Sequence, residues 1–506
     1  MESDKEIYMK SAAHSAIRIL LISPQTPDTF WSFKHAMHFI SKRTAFPPLG
    51  LLTVAAMLPD DWELKLVDLN TGSLNDNDLR WADYVMISAM IVHKESVRNI
   101  QRRCGRLSKH IIAGGPLFTT CHGEFPEIEH FVLGEAEDVM PDLVEDIRHN
   151  TLRREYASVN RPDMAHVPLP RWDLIDFRHY ASMSVQFSRG CPFDCEFCDI
   201  IVMNGRVPRT KSVSRLIEEL EDLRQRGWQQ SVFVVDDNFI GKKEIAKKLL
   251  REIIQWRKRT GARMTFLTEA SLNLADDPEL YTLMVSAGFS RVFVGIETPA
   301  MESLQECRKL QNCGRDLTAS VEILQRAGLE VMGGFIVGFD NDKPDIFSRQ
   351  FEFIQRSGVV TAMVGLLTAL PQTRLYHRLV KEGRMESECT GNNTEAVLNF
   401  RPKLNREFLI DGYRKLMRRL YEPQTYYRRI RIFMKHNCPK GPHARLSWSD
   451  IQALFKSLWF IGVRHRGQFA FWRFYTATLL RRPYQFHKAV ELAITGYHFR
   501  NVARSL

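Results

Sequence analysis

The stretch Met183-Ser-Val-Gln-Phe-Ser-Arg-Gly190, running directly into Cys191-Pro-Phe-Asp-Cys195-Glu-Phe-Cys198, decides how this chain is read. Its first half is a short apolar run ending in glycine, the pattern of a strand leaving a sheet. Its second half is C-x3-C-x2-C. Three thiolates on one tight loop can hold three irons of a 4Fe-4S cluster, and the fourth iron is then open to a substrate or cofactor. Structural zinc is the competing reading, but it needs four ligands and the loop holds no fourth Cys or His. Three unligated cysteines is the bland alternative. The first ten residues, MESDKEIYMK, carry no export signal. A reducing cytosol is therefore expected, where clustered thiolates serve metals more often than disulfides.

Five similar runs follow: SVFVVDD (Ser231–Asp237), RMTFLTE (Arg263–Glu269), RVFVGIET (Arg291–Thr298), EVMGGFIVGF (Glu330–Phe339) and VVTAMVGLL (Val359–Leu367), with helical spacing between them. Six βα units are fewer than the eight of a closed barrel, so a partial (β/α)6 barrel is expected, with its chemistry at the carboxyl ends of the strands. Upstream, IRILLIS (Ile17–Ser23), LKLVDLN (Leu64–Asn70), YVMISAM (Tyr84–Met90), HIIAGGP (His110–Pro116) and HFVLGEAE (His130–Glu137) alternate with helical patterns. Continuously apolar strands of this kind predict an α/β, doubly wound parallel sheet. Their ends include Ser88, Gly114, Gly115, Pro116, Gly134 and Glu135, a carboxyl-edge crevice where glycines let a large ligand approach the backbone. A tight turn is the plainer use of each glycine. The proline-rich RPDMAHVPLPRWDL (Arg161–Leu174) reads as a linker. The expected division is an N-terminal domain over 1–160, a linker over 161–180, the barrel over 181–400 and a helical tail over 401–506.

The 506 residues carry 70 Lys+Arg against 59 Asp+Glu, a formal charge of +11. Residues 401–506 hold 22 Lys+Arg and 5 Asp+Glu, a net of +17, which leaves 48 against 54, or −6, for the rest. The tail interleaves arginines with aromatics, as in RRLYEPQTYYRRIRIF (Arg418–Phe433) and SLWFIGVRHRGQFAFWRFY (Ser457–Tyr475). Three uses stay open: helices packed on the open side of the barrel with a solvated basic face, a surface for anionic lipid, and a nucleic-acid surface. The longest charge-free apolar stretch, around Val359–Leu370, is too short to span a bilayer.

The cysteine trio at the end of the first of six βα units resembles the radical S-adenosylmethionine superfamily. That resemblance implies that S-adenosylmethionine chelates the open iron and that one electron cleaves it to methionine and a 5′-deoxyadenosyl radical. It places Phe197, before the third cysteine, near the adenine. It also assigns contacts with the methionyl amino group and the ribose to strand-end residues, here Asp236, Asp237, Thr268, Glu269, Ser271, Glu297 and Thr298. The superfamily's Gly-Gly-Glu on strand two is replaced by Val235-Asp-Asp-Asn-Phe239, and each carboxylate could instead cap the following helix. Gly333 and Gly334 are expected to let cofactor or substrate pass close to strand five.

The N-terminal half, with FWSFKHAMHFISKRTAFPPLGLLTVAAMLP (Phe30–Pro59), AGGP (Ala113–Pro116) and LGEAE (Leu133–Glu137), resembles the cobalamin-binding branch of that superfamily. With the tail's RRP (Arg481–Pro483) and GYHFR (Gly496–Arg500), it is similar to the hopanoid methylase group. The D-x-H-x-x-G segment that ligates cobalt from below is absent, so His35, His38, His93 and His122 read as surface or satisfied core histidines. The resemblance implies a methyltransferase acting on an unactivated carbon of a hydrophobic substrate, lipid or tetrapyrrole, through methylcobalamin and a second S-adenosylmethionine that yields the radical. No general base is needed, and no Ser/His/Asp motif is present. Radical cyclisation or carbon–carbon coupling without methyl transfer is the rival reading. An RNA-modifying methylthiotransferase would need a second cysteine trio where only Cys104 and Cys121 occur, and a non-catalytic iron–sulfur protein is the alternative of another class. Cys307, Cys313, Cys389 and Cys438 read as structural thiols. An electron donor of flavodoxin or ferredoxin type is implied, as is a cytoplasmic location, peripheral on the inner face of the membrane if the tail binds lipid.

Overall fold

The computed structural model describes residues 16–158, 160–437, 448–465 and 467–506. The N-terminal decapeptide and Cys438 lie outside them.

Six strands form the first sheet: β1 (Arg18–Ser23), β2 (Glu63–Asp68), β3 (Tyr84–Ser88), β4 (His110–Gly114), β5 (His130–Leu133) and β6 (Glu155–Ala157). They are all parallel, in the order β2-β1-β3-β4-β5-β6. The interior strand β1, RILLIS, is buried from its second residue onward, whereas the edge strand β2, ELKLVD, exposes Glu63 and Lys65. That difference is what helices on both faces of an interior strand require. The order reverses between β1 and β3, which opens the crevice above Ser23 and Ser88. The sixth strand, three residues with only Tyr156 buried, was not foreseen from the sequence.

The second sheet runs β14-β13-β12-β11-β10-β7, again all parallel. Its members are β7 (Ser182–Val185), β10 (Ser231–Val234), β11 (Thr265–Ala270), β12 (Phe289–Glu297), β13 (Glu330–Val337) and β14 (Ala362–Leu366). All six predicted runs are present, and the barrel stays open. The first run is shorter than its pattern. It stops at Val185 because the Phe187 amide is taken by the Asp236 carboxylate at 2.7 Å rather than by a neighbouring strand. The chain then forms β8 (Ser188–Arg189), paired antiparallel with β9 (Arg209–Thr210).

Both open edges are covered. On the β14 side the Tyr421 hydroxyl bonds both the Ala362 carbonyl (2.7 Å) and its amide (3.1 Å). On the β7 side the amides of Ala181 and Ser182 donate to Thr44 and Ala45 at 3.0 and 2.9 Å. The segment read as a linker is packed rather than loose. It makes short helical turns at Met164–His166 and Trp172–Leu174, and Trp172 is fully buried.

The tail forms helices Arg406–Leu420, Pro423–His436, Trp448–Trp459, Gln468–Arg481 and Phe486–Ser505, with a π-helical turn at Phe460–Arg464. Its core is continuous with the barrel's. Part of its basicity is internal: Arg429 is fully buried, donates to the carbonyls of Leu420 (3.0 Å) and Val360 (3.1 Å), and lies over the rings of Tyr421 and Tyr426. The tail thus packs on the barrel, while arginines such as Arg464, Arg473 and Arg481 stay exposed. No helix among the described residues is long and apolar enough to cross a membrane.

Candidate functional site

The cysteine loop leaves β8 through Gly190, whose φ is +99°. A Cβ there would lie 3.0–3.2 Å from the carbonyl oxygens of Gly205, Asn204 and Val207, so only glycine fits. The two acids between the cysteines anchor the loop. Asp194 faces Arg308 (3.3 Å) and Arg374 (3.1 Å), and Glu196 takes the Arg378 guanidinium at 2.6 Å. Arg374 and Arg378 come from the helix after β14, so these ion pairs tie the first βα unit to the last across the open barrel.

Cys191, Cys195 and Cys198 are all free thiols. Burial pushes the thiols of Cys191 and Cys198 up, Cys198 well above the ordinary range. Amide donors approach two of the sulfurs: Asn238 Nδ2 lies 3.7 Å from Cys191 Sγ, and Gln311 Nε2 lies 3.7 Å from Cys195 Sγ. Their side-chain oxygens are buried without partners. Lys309, also buried, sits 2.7 Å from Glu297 with Cys195 and Cys198 within its field. Three soft ligands, N–H donors to sulfur and one buried cation form the donor set that a negatively charged iron–sulfur cluster requires.

The strand-end residues divide into two groups. Asp236 is committed to the fold, since its oxygens accept from the Phe187 amide (2.7 Å) and the Ser188 hydroxyl (2.6 Å). Asp237 accepts from the Gly190 amide and from Asn204. Thr268 donates to the Val234 carbonyl, and Thr298 accepts from the Ala300 amide. By contrast the Glu269 carboxyl group has no hydrogen-bond partner among the described residues. Burial, with Asp237 and Asp236 beside it, pushes it up to about 8, while burial, with the Asp237 charge nearby, drives Asp236 to about 7. Ser271 bonds Asn238 and Asn273. Glu297 is held at φ +66°, at a break in the β12–β13 register.

Phe197, Glu297 and Gly334 line a cavity of about 290 Å³ with Trp31, Phe293 and Leu370. Its far wall is the segment around Cys389–Asn393, and Gly391 in that segment presses on the backbone of Ile91 and Val92 beyond β3. The cavity thus lies between the barrel mouth and the first sheet. Both strand-five glycines are closely approached by side chains of the barrel. A Cβ on Gly333 would strike Phe335 and Val359, and one on Gly334 would strike Phe293. The close approach is made by the protein's own rings, and of the two only Gly334 reaches the cavity. A larger hollow, about 570 Å³, lies beside Arg349, Arg356 and Arg428 and shares no lining residue with this one.

At the edge of the first sheet, Ser88 and Gly114 are cross-strand neighbours. Gly115, at φ +91° and ψ −178°, leads into Pro116, the first residue of the helix Pro116–Cys121. A Cβ on Gly115 would lie 2.7 Å from Ser88 Oγ, whereas Gly134, at φ +80°, has open space around it. Glu135 is turned away from such a ligand. It takes Arg189 at 2.7 Å and Arg209 at 2.5 Å, while Glu137 takes Arg189 at 2.7 Å, so the LGEAE segment clamps the residue preceding Gly190 and the cysteines. The four histidines all have partners: His35 with Asp28, His38 with the His35 carbonyl, His122 with the Phe118 carbonyl, and His93 between Thr26 Oγ1 and the Met90 amide. A backbone-lined edge of this kind fits a corrin held by its macrocycle and side chains.

Lys309, Gln311, Arg189, Arg209 and Trp31 were not singled out in the sequence, and no local pattern marks them. Asn238 was one step away, immediately after the two aspartates of strand two.

Comparison with known proteins accounts for this arrangement. Residues 40–144 match the B12 binding domain, 185–354 the radical SAM superfamily, and 373–506 a domain of unknown function. An uncharacterised methyltransferase of Synechocystis sp. is 40% identical over 96% of this chain and 91% of its own length. The hopanoid C-2 methylase of Rhodopseudomonas palustris is 34% identical over 92% and 90%. The fold is also that of the cobalamin-dependent S-adenosylmethionine radical enzyme OxsB, with a TM-score of 0.61 at 13% identity over 97% of this chain and 80% of that one. With a B12 domain before a radical SAM barrel, and near-full-length kinship to methyltransferases, the chain belongs to the cobalamin-dependent radical S-adenosylmethionine methyltransferases.

Proposed function

We propose that this enzyme C-methylates an unactivated carbon of a hydrophobic substrate, lipid or tetrapyrrole, held in the cavity between the two sheets. The observation that carries the reading is that cavity itself. Phe197 and Glu297 bring it to the cysteine loop, Gly391 packs its far wall onto the turn that follows β3, and Trp31, Phe293 and Leu370 make its barrel side apolar while Asn392 and Glu395 make the far wall polar. When bound, the cluster with S-adenosylmethionine supplies a 5′-deoxyadenosyl radical, and cobalamin supplies the methyl group.

The chain's own residues prepare the site. Cys191, Cys195 and Cys198 hold the iron, with the Asn238 and Gln311 amides donating toward sulfur. Glu269, Ser271, Glu297 and Gly334, with Phe197, are assigned to S-adenosylmethionine. Glu269 is the free carboxyl of the group, and an ammonium beside it would return it to the ionised form. Asp236, Asp237 and Gly333 support that surface from behind. Ser88, Gly114, Gly115, Pro116 and Gly134 are assigned to cobalamin, with Glu135 positioning the loop. The aromatic lining keeps water from a radical. The corresponding division is cobalamin domain 1–160, linker 161–180, barrel 181–400 and tail 401–506. A flavodoxin- or ferredoxin-type donor supplies electrons, and the basic tail attaches the enzyme to the inner face of the membrane.

Anaerobic reconstitution with cluster, cobalamin, reductant and S-adenosylmethionine tests the reading. Formation of both 5′-deoxyadenosine and S-adenosylhomocysteine supports methylation. The first alone would shift the assignment to cyclisation or coupling, and neither would overturn it.

A further inference from the structure

The tail leaves its apolar side chains outside in one place. Of eighteen large hydrophobic residues exposed among the described residues, ten lie between Trp448 and Tyr484. On the helix Trp448–Trp459 and its continuation Phe460–Arg464, the exposed ones are Trp448, Ile451, Phe455, Trp459 and Val463. At about 100° per residue those positions fall within one stripe roughly 120° wide. On Gln468–Arg481, Phe469 (84% exposed), Trp472, Leu479 and Leu480 (81% exposed) form a second stripe, while Phe471, Phe474 and Tyr475 turn into the core. The two helices meet where Trp472 Nε1 donates to the Gly462 carbonyl at 2.8 Å. An apolar face of this kind marks an interaction site.

Its charge narrows the partner. Residues 448–484 hold six Lys+Arg and a single acid, Asp450. Arg464, Arg473 and Arg481 are exposed, and none makes an ion pair with a carboxylate among the described residues. Tryptophan, phenylalanine and leucine flanked by arginine suit the interface of an anionic bilayer, where rings sit at headgroup depth and cations meet phosphate. A second copy of this chain would bring a tail of +17 against another of +17.

We propose that the exposed stripes of Trp448–Val463 and Phe469–Leu480 form a docking surface that enters the interface of an anionic lipid bilayer. The proposal deepens the membrane reading above and rests on it. The surface is tied to the active cavity. Lys456 donates to the His38 carbonyl (2.7 Å) and to Ser41 Oγ (2.9 Å), and Phe460 packs on the His38 ring, within the same segment that carries Trp31 into the cavity. Docking therefore holds the entrance segment of the barrel against the source of a hydrophobic substrate.

The test is flotation of the full-length holoenzyme with vesicles of equimolar phosphatidylcholine and phosphatidylglycerol, beside pure phosphatidylcholine, with bromine-labelled acyl chains to quench tryptophan. We expect wild-type enzyme to float only with the anionic vesicles and its tryptophan emission to be quenched there. The triple variant Phe455→Glu/Phe469→Glu/Leu480→Glu should lose at least tenfold in bound fraction, with its circular dichroism and 5′-deoxyadenosine formation unchanged. Arg473→Gln/Arg481→Gln should bind several-fold more weakly and with a shallower salt dependence. If wild-type enzyme does not float, the membrane reading itself falls. If the triple variant floats as well as wild type, membrane binding stands but this surface is wrong. A wild-type dimer in sedimentation that the triple variant dissolves assigns the face to self-association and overturns the proposal.

Discussion

At the carboxyl edge of the first sheet the strands end in Ser88, Gly114 and Leu133, the last followed by Gly134, and the nearby acids Glu135 and Glu137 are turned onto arginines. At the same edge of the second sheet, Asp236, Asp237, Glu269 and Glu297 crowd beside three cysteines and Lys309. Both sheets have six parallel strands, yet β3, β4 and β5 of the first end in backbone and small residues, with its buried acids already bonded to partners, whereas the second crowds carboxylates at its mouth. The difference suits the division of cofactors proposed above. A large neutral macrocycle is held by shape and backbone contact, so side chains withdraw. A charged cluster and a cationic ligand need compensating groups at short range in a low dielectric, so side chains converge there.

That contrast can be broken first at the barrel. Cys195→Ser should abolish the visible absorbance of the cluster and all 5′-deoxyadenosine formation, while cobalamin binding by the other sheet persists in equilibrium dialysis. Glu297→Gln leaves the Lys309 ammonium buried without its partner, 11% exposed. A cost of about 3–5 kcal/mol in chemical denaturation is expected. At the first sheet the corresponding losses are smaller. Glu137→Gln weakens the clamp on Arg189 and should cost about 1–3 kcal/mol, with a lower 5′-deoxyadenosine rate at unchanged iron content. Gly115→Ala places a Cβ against Ser88 in a backbone region reserved for glycine. We expect a loss of about 1–3 kcal/mol, read as weaker cobalamin affinity with the cluster spectrum intact.

The smallest effect concerns pH, and its sign differs between the sheets. Burial holds His93 near 4, below its ordinary 6.5. The unfolded chain therefore binds a proton that the fold refuses, and stability around β3 falls as pH drops from about 6.5 toward 4. Burial raises Asp236 to about 7 and Glu269 to about 8, so the protons are retained by the fold and stability around β10 and β11 falls as pH rises from about 4 toward 8. Amide-exchange protection in the ligand-free chain should accordingly weaken for Tyr84–Ser88 at pH 5 and for Thr265–Ala270 at pH 8.5. Equal changes in both would remove the distinction.

Much of this was legible in the chain because the signals are local. Six apolar runs of the barrel and five of the first sheet mark themselves by composition, and Glu155–Ala157 escaped because three residues with one buried tyrosine carry no period. Phe197 stands inside the cysteine motif and Glu297 closes an apolar run, so both are legible along the chain, and both line the cavity. Gly333 was placed beside a ligand because a glycine in a strand signals close approach without saying to what, and here Phe335 and Val359 fill the space. The tail's arginines showed the same ambiguity: composition cannot separate Arg429, buried over two tyrosines, from Arg473 at the surface.

By itself the sequence determined the strand count of the barrel, the three thiols on one loop and the segregation of charge into the tail, since each rests on neighbours along the chain. Only the tertiary structure decided which charges meet. The clamp of Glu135 and Glu137 on Arg189 and the seat of Trp31 in the cavity join residues far apart in sequence, while the pairing of Lys309 with Glu297 and the outward face of Phe455 and Phe469 depend on how neighbouring elements pack. Burial, and not spacing, sets the energy of such contacts.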